Sequence, residues 1–286
     1  MDWAIISNVI FDSLKDSAWL FLFLLLTYIL LEYIEHKNGS KSLNLIGKSG
    51  KLGAAIGAVS GIVPQCGFAA AAANFYAARA ISVGTLLAVF LTTSDEMLPI
   101  MISNAVEPMI IIKILGIKLV LGMTIGILCD VVLNSKPQIV NIEPLCEDAA
   151  CHCAGEGIFK PALFHAIKIT VFVMLVTFAL NAVIAVWGEH CLSEMVLNRP
   201  IAGVAAAGLI GLVPNCSASV IITQLWLEGA INFGAMLAGL LSGAGAGLLV
   251  LFKVNKNRKE NFKIVAILYF SAVATGGLIN ILQINL

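Results

Sequence analysis

Four stretches, residues 17–33, 109–133, 163–187 and 264–284, each approach the run of about twenty apolar residues that carries a helix across a bilayer. In hydrocarbon every backbone polar group must find its partner internally, and segments of this length do so as helices. Composition agrees: 59% of the chain is hydrophobic and 12% charged, whereas a soluble domain carries about 25% charge. A water-exposed surface cannot be covered, so the chain is expected to be an all-α polytopic membrane protein whose first partner is the lipid bilayer. A soluble enzyme with a tail, a disordered protein and a disulfide-stapled secreted domain are excluded. The formal net charge of zero offers no basic field for nucleic acid. Seven cysteines are an odd number; Cys66, Cys129 and Cys216 lie in apolar stretches and Cys146, Cys151 and Cys153 in one polar loop, which is no disulfide framework. The first apolar run follows Asp12, Lys15 and Asp16 and has no small-residue cleavage site at its end, so it reads as a retained span.

Between these spans lie two blocks, 51–104 and 201–252, apolar but rich in Gly, Ala, Ser and Thr, each with a Pro-centred interruption. That is the pattern of discontinuous or re-entrant helices. The short loops fix orientation through the excess of Lys and Arg on the cytoplasmic side. Lys37, Lys41, Lys48 and Lys51 mark one cytoplasmic loop, and Lys253, Lys256, Arg258, Lys259 and Lys263 another. Residues 103–108 and 188–200 lack that excess and read as external. Each block must then cross an odd number of times, either as three short crossings or as one crossing plus a re-entrant hairpin. Both termini come out external, and about ten membrane segments result.

The chain also repeats itself. At an offset of 150, Gly61-Ile62-Val63-Pro64-Gln65-Cys66 falls on Gly211-Leu212-Val213-Pro214-Asn215-Cys216, and Gly53, Asn74, Tyr76, Gly84 and Leu87 fall on Gly203, Gln224, Trp226, Gly234 and Leu237. Composition bias produces matched alanines, not a matched proline, amide and cysteine. The predicted organisation is a first repeat over 1–133, a cytoplasmic linker over 134–161 and a second repeat over 162–286. Equivalent loops are basic in one copy and acidic in the other, so the repeats are predicted to be inverted in topology, with a site where their interrupted helices meet.

Proline removes a backbone donor and opens the helical ladder. Gln65 and Asn215 stand ready to satisfy the freed carbonyls, and Cys66 and Cys216 bring a soft sulfur to each break, suited to trivalent arsenic, Cu(I) or Zn²⁺. Asn74 and Gln224 keep an amide in the repeat register, and Ser219 adds a hydroxyl at the second break. Asp95 and Glu96 are carboxylates in an apolar setting, costly in a membrane and therefore functional by default. Continued as a helix, Thr92, Asp95, Glu96 and Pro99 would share one face and line a path for a cation or for coupling protons. Lys118 in the next span is available to neutralise them. The linker carries Cys146, Cys151, His152 and Cys153, donors for a soft metal at a spacing that matches no zinc module, hence a capture arm. Gly243-Ala244-Gly245-Ala246-Gly247 reads as close helix packing. No Gly-x-Gly-Asp or His-Glu-x-x-His motif is present, and Gly47-Lys48-Ser49 lacks the first glycine of a phosphate loop, so an enzyme is not expected and no cofactor is implied.

The paired Gly-x-Val-Pro-[Gln/Asn]-Cys motifs and Thr93-Ser94-Asp95-Glu96-Met97-Leu98-Pro99 resemble a bacterial family of ten-transmembrane heavy-metal exporters, likened to arsenical permeases and with some members labelled manganese transporters. The resemblance implies efflux of a metal or metalloid across the plasma membrane, with Cys66, Cys216, Asp95 and Glu96 in the places of the motif residues. Secondary active export of an arsenical or thiophilic metal is the leading expectation; Mn²⁺ export and transport of a small organic solute are the alternatives.

Overall fold

A computed structural model describes residues 51–63, 66–94, 97–133 and 200–283, with short helical pieces between 21 and 29 and between 159 and 178. Among the described residues every regular element is a helix: α1 (Lys51–Gly61), α2 (Cys66–Ala77), α3 (Val83–Thr92), α4 (Met97–Ser103), α5 (Pro108–Val132), α6 (Pro200–Gly211), α7 (Cys216–Leu227), α8 (Phe233–Ser242), α9 (Ala246–Val254) and α10 (Arg258–Ile281). The elements recur at the register of the sequence repeat, α2 and α3 returning 150 residues later as α7 and α8 with unchanged bounds. Among the described residues, four helical stretches have the length and apolarity of membrane spans: Val83–Ser103, Pro108–Val132, Phe233–Val254 and Arg258–Ile281.

The local causes repeat as well. Ser82 caps α3 by accepting from the Thr85 amide at 3.1 Å, and Asn232, its counterpart, caps α8 through the Ala235 amide at 2.8 Å. After α2 the chain turns through a left-handed residue, Arg79 (φ 59°), and after α7 through Gly229 (φ 72°) at the same register. Pro108 opens α5, where its missing N–H costs nothing. The sequence expectation of spans at 109–133 and 264–284 matches α5 and α10, but α10 begins earlier, because Asn257 accepts from the Glu260 amide and lets a charged first turn stay helical.

Packing depends on missing side chains. A Cβ at Gly84 would stand 2.1 Å from the Gly126 carbonyl, and one at Gly234 would stand 2.4 Å from that of Gly276. Thus α3 lies backbone to backbone on α5, and α8 on α10. Gly84 meets Gly126 and Asp130 while Gly122 meets Ala88 and Thr92, so α3 and α5 are antiparallel. Gly57 rests on Thr85 and Val89, and Gly61 on Val89 and Thr92, so α1 runs parallel to α3 and ends level with its C-terminus. The 12 residues of α2 then cover about 18 Å. Had α2 continued in the direction of α1, its end would lie about 30 Å from Val83, whereas the connecting residues 78–82 reach about 22 Å. It therefore turns back alongside α3, against which it packs. The halves interlock, α2 lying on α9, α7 on α4 and α8 on α3. Phe90, Leu86, Leu91, Met97, Leu237 and Leu241 are fully buried where they meet, while α5 and α10 turn Val120, Leu128, Phe270 and Leu278 outward, as a lipid-facing surface requires.

Residues 17–33 lie largely, and Pro64, Gln65, Asp95, Glu96 and the linker donors Cys146, Cys151, His152 and Cys153 wholly, outside the described residues, as do the side chains of Cys66 and Cys216. One expectation is corrected. Thr92 and Pro99 do not share one uninterrupted helix: α3 ends at Thr92 and α4 starts at Met97. Pro99 can donate no amide to the carbonyl four residues back and its ring crowds that position, while the hydroxyls of Thr92, Thr93 and Ser94 bond to the carbonyls of Ala88, Val89 and Thr92 at 2.8, 2.8 and 3.0 Å.

Candidate functional site

The helix interruptions converge. A small cavity is lined by Thr93 and Ser94 after α3, Met97 at the start of α4, Gly211 at the end of α6, Asn215, Ala218 and Ser219 at the start of α7, and Leu240, Gly243 and Gly245 around the break between α8 and α9. Both halves contribute to it. Its interior has room for about one water-sized body. Gly61 places the end of α1 against Thr92, next to the same region.

Each break has a local cause. Between α6 and α7, Pro214 cannot continue the helix, and Asn215, extended at φ −146° and ψ 141°, caps α7 by accepting from the Ser217 amide at 3.4 Å. Between α8 and α9, Gly245 adopts φ 49° and ψ −136°, a conformation reserved for glycine. Gly243 leaves open the place of a side chain; the carbonyl oxygens of Gly239, Gly211 and Leu240 lie 3.3, 3.6 and 3.8 Å from where its Cβ would stand. The Ser242 hydroxyl joins α8 to α6 by donating to the Gly208 carbonyl at 2.8 Å.

The lining mixes apolar surface from Met97, Ala218 and Leu240 with the polar side chains of Ser94, Ser219 and Asn215, and carbonyls at or near the ends of α3, α6 and α8, those of Thr93, Gly211 and Leu240, lie beside it. A helix C-terminus carries partial negative charge and unsatisfied carbonyls, so three of them facing one space favour a cation. The thioether of Met97, fully buried, is the one described sulfur in the lining. Into this region reaches Lys118 of α5, fully buried, whose ammonium donates to the Thr93 carbonyl and, at 3.4 Å, to that of Leu240.

Of the residues singled out from sequence, Asn215 and Ser219 line the cavity. The backbones of Cys66 and Cys216 open α2 and α7. Asn74 is fully buried in α2, whereas Gln224 is exposed and not part of the lining. Thr92 is buried but spends its hydroxyl on its own helix. Sequence reasoning missed Thr93, Ser94, Met97, Gly243 and Gly245 as lining, and treated Lys118 only as a counter-charge. The signal was present for the glycines, whose register falls opposite Thr93 and Asp95. Gly247 does serve close packing, against Ala69 and Phe90.

A second cluster lies away from the cavity. Arg79 binds Glu260 through two bonds of 2.6 and 2.8 Å, Tyr76 donates its hydroxyl to the same carboxylate, and the guanidinium lies 5.4 Å from the centre of the Tyr76 ring. These contacts tie the turn after α2 to the first turn of α10, and the bonds to Glu260 raise the Arg79 pKa further. Among the described residues, no group of three or more His, Cys, Asp or Glu side chains is placed to hold a metal ion.

No curated protein and no solved structure matches the chain. A family model does, over residues 6–154 and 161–285, and its description reads "Putative, 10TM heavy-metal exporter". With nearly the whole length matched and a multi-pass helical architecture in place, the chain belongs to this family of ten-transmembrane heavy-metal exporters.

Proposed function

We propose that the protein exports a thiophilic metal or metalloid, arsenite-like in chemistry, across the bacterial plasma membrane by alternating access, with the cargo passing through the cavity between the two halves. The observation that carries this reading is the meeting of helix breaks from both halves at one space, beside a fully buried lysine. Room for about one water-sized body suits an ion or a small hydroxide species and argues against an organic solute. The cysteines that open α2 and α7 sit beside the breaks, and Asp95 and Glu96 follow directly on Thr93 and Ser94. They would supply soft ligands and a path for coupling protons or cations.

Inverted repeats fit the chain directions. Arg79 precedes α3 and touches Glu260, which follows α9. The stretch α3–α4 therefore leaves the face at which α8–α9 arrives. The basic loop after α9 makes that face cytoplasmic, with α1 and α2 as a hairpin that enters and leaves on the same side.

One observation favours a second reading. The polar side chains of the described lining, those of Thr93, Ser94, Asn215 and Ser219, offer oxygen, the donor a hard cation such as Mn²⁺ prefers. Growth of a metal-sensitive host on arsenite and on Mn²⁺ separates the two. A Cys66→Ser/Cys216→Ser variant at matched expression should lose nearly all arsenite resistance. Retained arsenite resistance would overturn the thiophilic assignment, and Mn²⁺ tolerance that depends on Asp95 and Glu96 but not on the cysteines would replace it.

A further inference from the structure

Lys118 is the eleventh of the 25 residues of α5, which places it about 15 Å from the first end and about 21 Å from the last end of a membrane-length helix, near its middle. It is fully buried. The same register in the second half holds Leu268, also fully buried, so packing at this position does not call for a charge. An ionisable side chain at such depth is costly and marks a working part of the protein. Its ammonium binds the carbonyl of Thr93, the residue that caps the end of α3, and the carbonyl of Leu240, two residues before the end of α8. One of these helices comes from each half, and both residues line the cavity. Carbonyls at helix ends form the kind of nest that holds a monovalent cation, because they lack amide partners and carry the negative end of the helix dipole.

We propose that Thr93 and Leu240 form part of a monovalent-cation site and that the Lys118 ammonium is its permanent, tethered occupant. The tether holds the ends of α3 and α8 together without a freely exchanging ion. Within the export reading, on which this consequence rests, the protein can reset after releasing cargo without drawing a sodium or potassium ion into that nest.

The site can be tested without transport. Lys118→Ala should leave an empty nest that a small cation enters. The purified variant, heated in detergent with choline as the only cation, should unfold several degrees below the parent protein. Methylammonium, sodium or potassium should restore at least half of that loss in a saturable way, while the parent and Lys118→Arg ignore the choice of cation. Lys118→Ser, scored by the protein that stays soluble after a heat step in crude membrane extracts, covers the case in which Lys118→Ala does not survive purification. Equal stability in every salt, or loss in every salt, for the two neutral variants overturns the proposal. Neither result bears on whether a metal is exported, which the growth assay decides separately.

Discussion

Arg79 and Gly229 occupy the same register and the same left-handed turn, one with a side chain and one without. A non-glycine residue in that region gives up about 1 kcal/mol, and a two-bond ion pair that is partly exposed returns a similar amount, up to about 1 kcal/mol. Arg79→Gly should therefore shift stability by less than about 0.5 kcal/mol, the relief of strain offsetting the lost tie. Arg79→Ala keeps the strain, loses the tie and should cost about 1 kcal/mol, measured by reversible denaturation in mixed micelles. The glycines at the helix crossings behave differently. Gly84→Ala drives a methyl into the Gly126 carbonyl and should cost about 1–3 kcal/mol. Gly116→Ala, on α5 but with nothing within 4 Å, serves as the control and should stay within about 0.5 kcal/mol.

Asn215 turns the second proline break from a gap into the start of a new helix. Asn215→Ala should cost about 1 kcal/mol through the lost cap, and Asn215→Asp should keep most of it; a larger loss for Asp than for Ala would mean that the amide serves the cavity rather than the helix. Proline, small residues and an amide at one register predict interruptions; among the described residues α6 ends at Gly211 and α7 starts at Cys216, and α5 agrees with the apolar run that predicts it. What pattern could not supply was direction and company. That α1 runs parallel to α3 follows from which glycine meets which residue far along the chain, and periodicity is silent on that. The face expected to join Thr92 and Pro99 failed because three hydroxyls and a proline outweighed the apolar period around them. Sequence offers Lys118 as a counter-charge for Asp95 and Glu96, which lie outside the described residues; periodicity gave no sign that its ammonium also bonds to carbonyls near the ends of two helices, one of them 122 residues away.

The proposed orientation of the whole molecule rests on one contact combined with one charge rule. Arg79 meets Glu260, so the turn between α2 and α3 and the turn between α9 and α10 share a face. The second of these turns belongs to the run of Lys253, Lys256, Arg258, Lys259 and Lys263, which the positive-inside rule would keep in the cytoplasm. The stretches α3–α4 and α8–α9 are both counted among the candidate spans. In the proposed arrangement the turn after α4 and the turn after α7 lie on the opposite face, although Gly229 holds the register of Arg79. Equivalent positions on opposite faces are what inversion of the two halves means. On a cysteine-free background, single cysteines at the exposed positions Asn104, Glu228 and Lys259 test this in intact cells with a membrane-impermeant thiol reagent. Asn104→Cys and Glu228→Cys should be labelled from outside, and Lys259→Cys only after the membrane is permeabilised. Labelling of Glu228→Cys and Lys259→Cys from the same side would make the repeats parallel, and the cavity would no longer be flanked by two oppositely oriented copies of one unit.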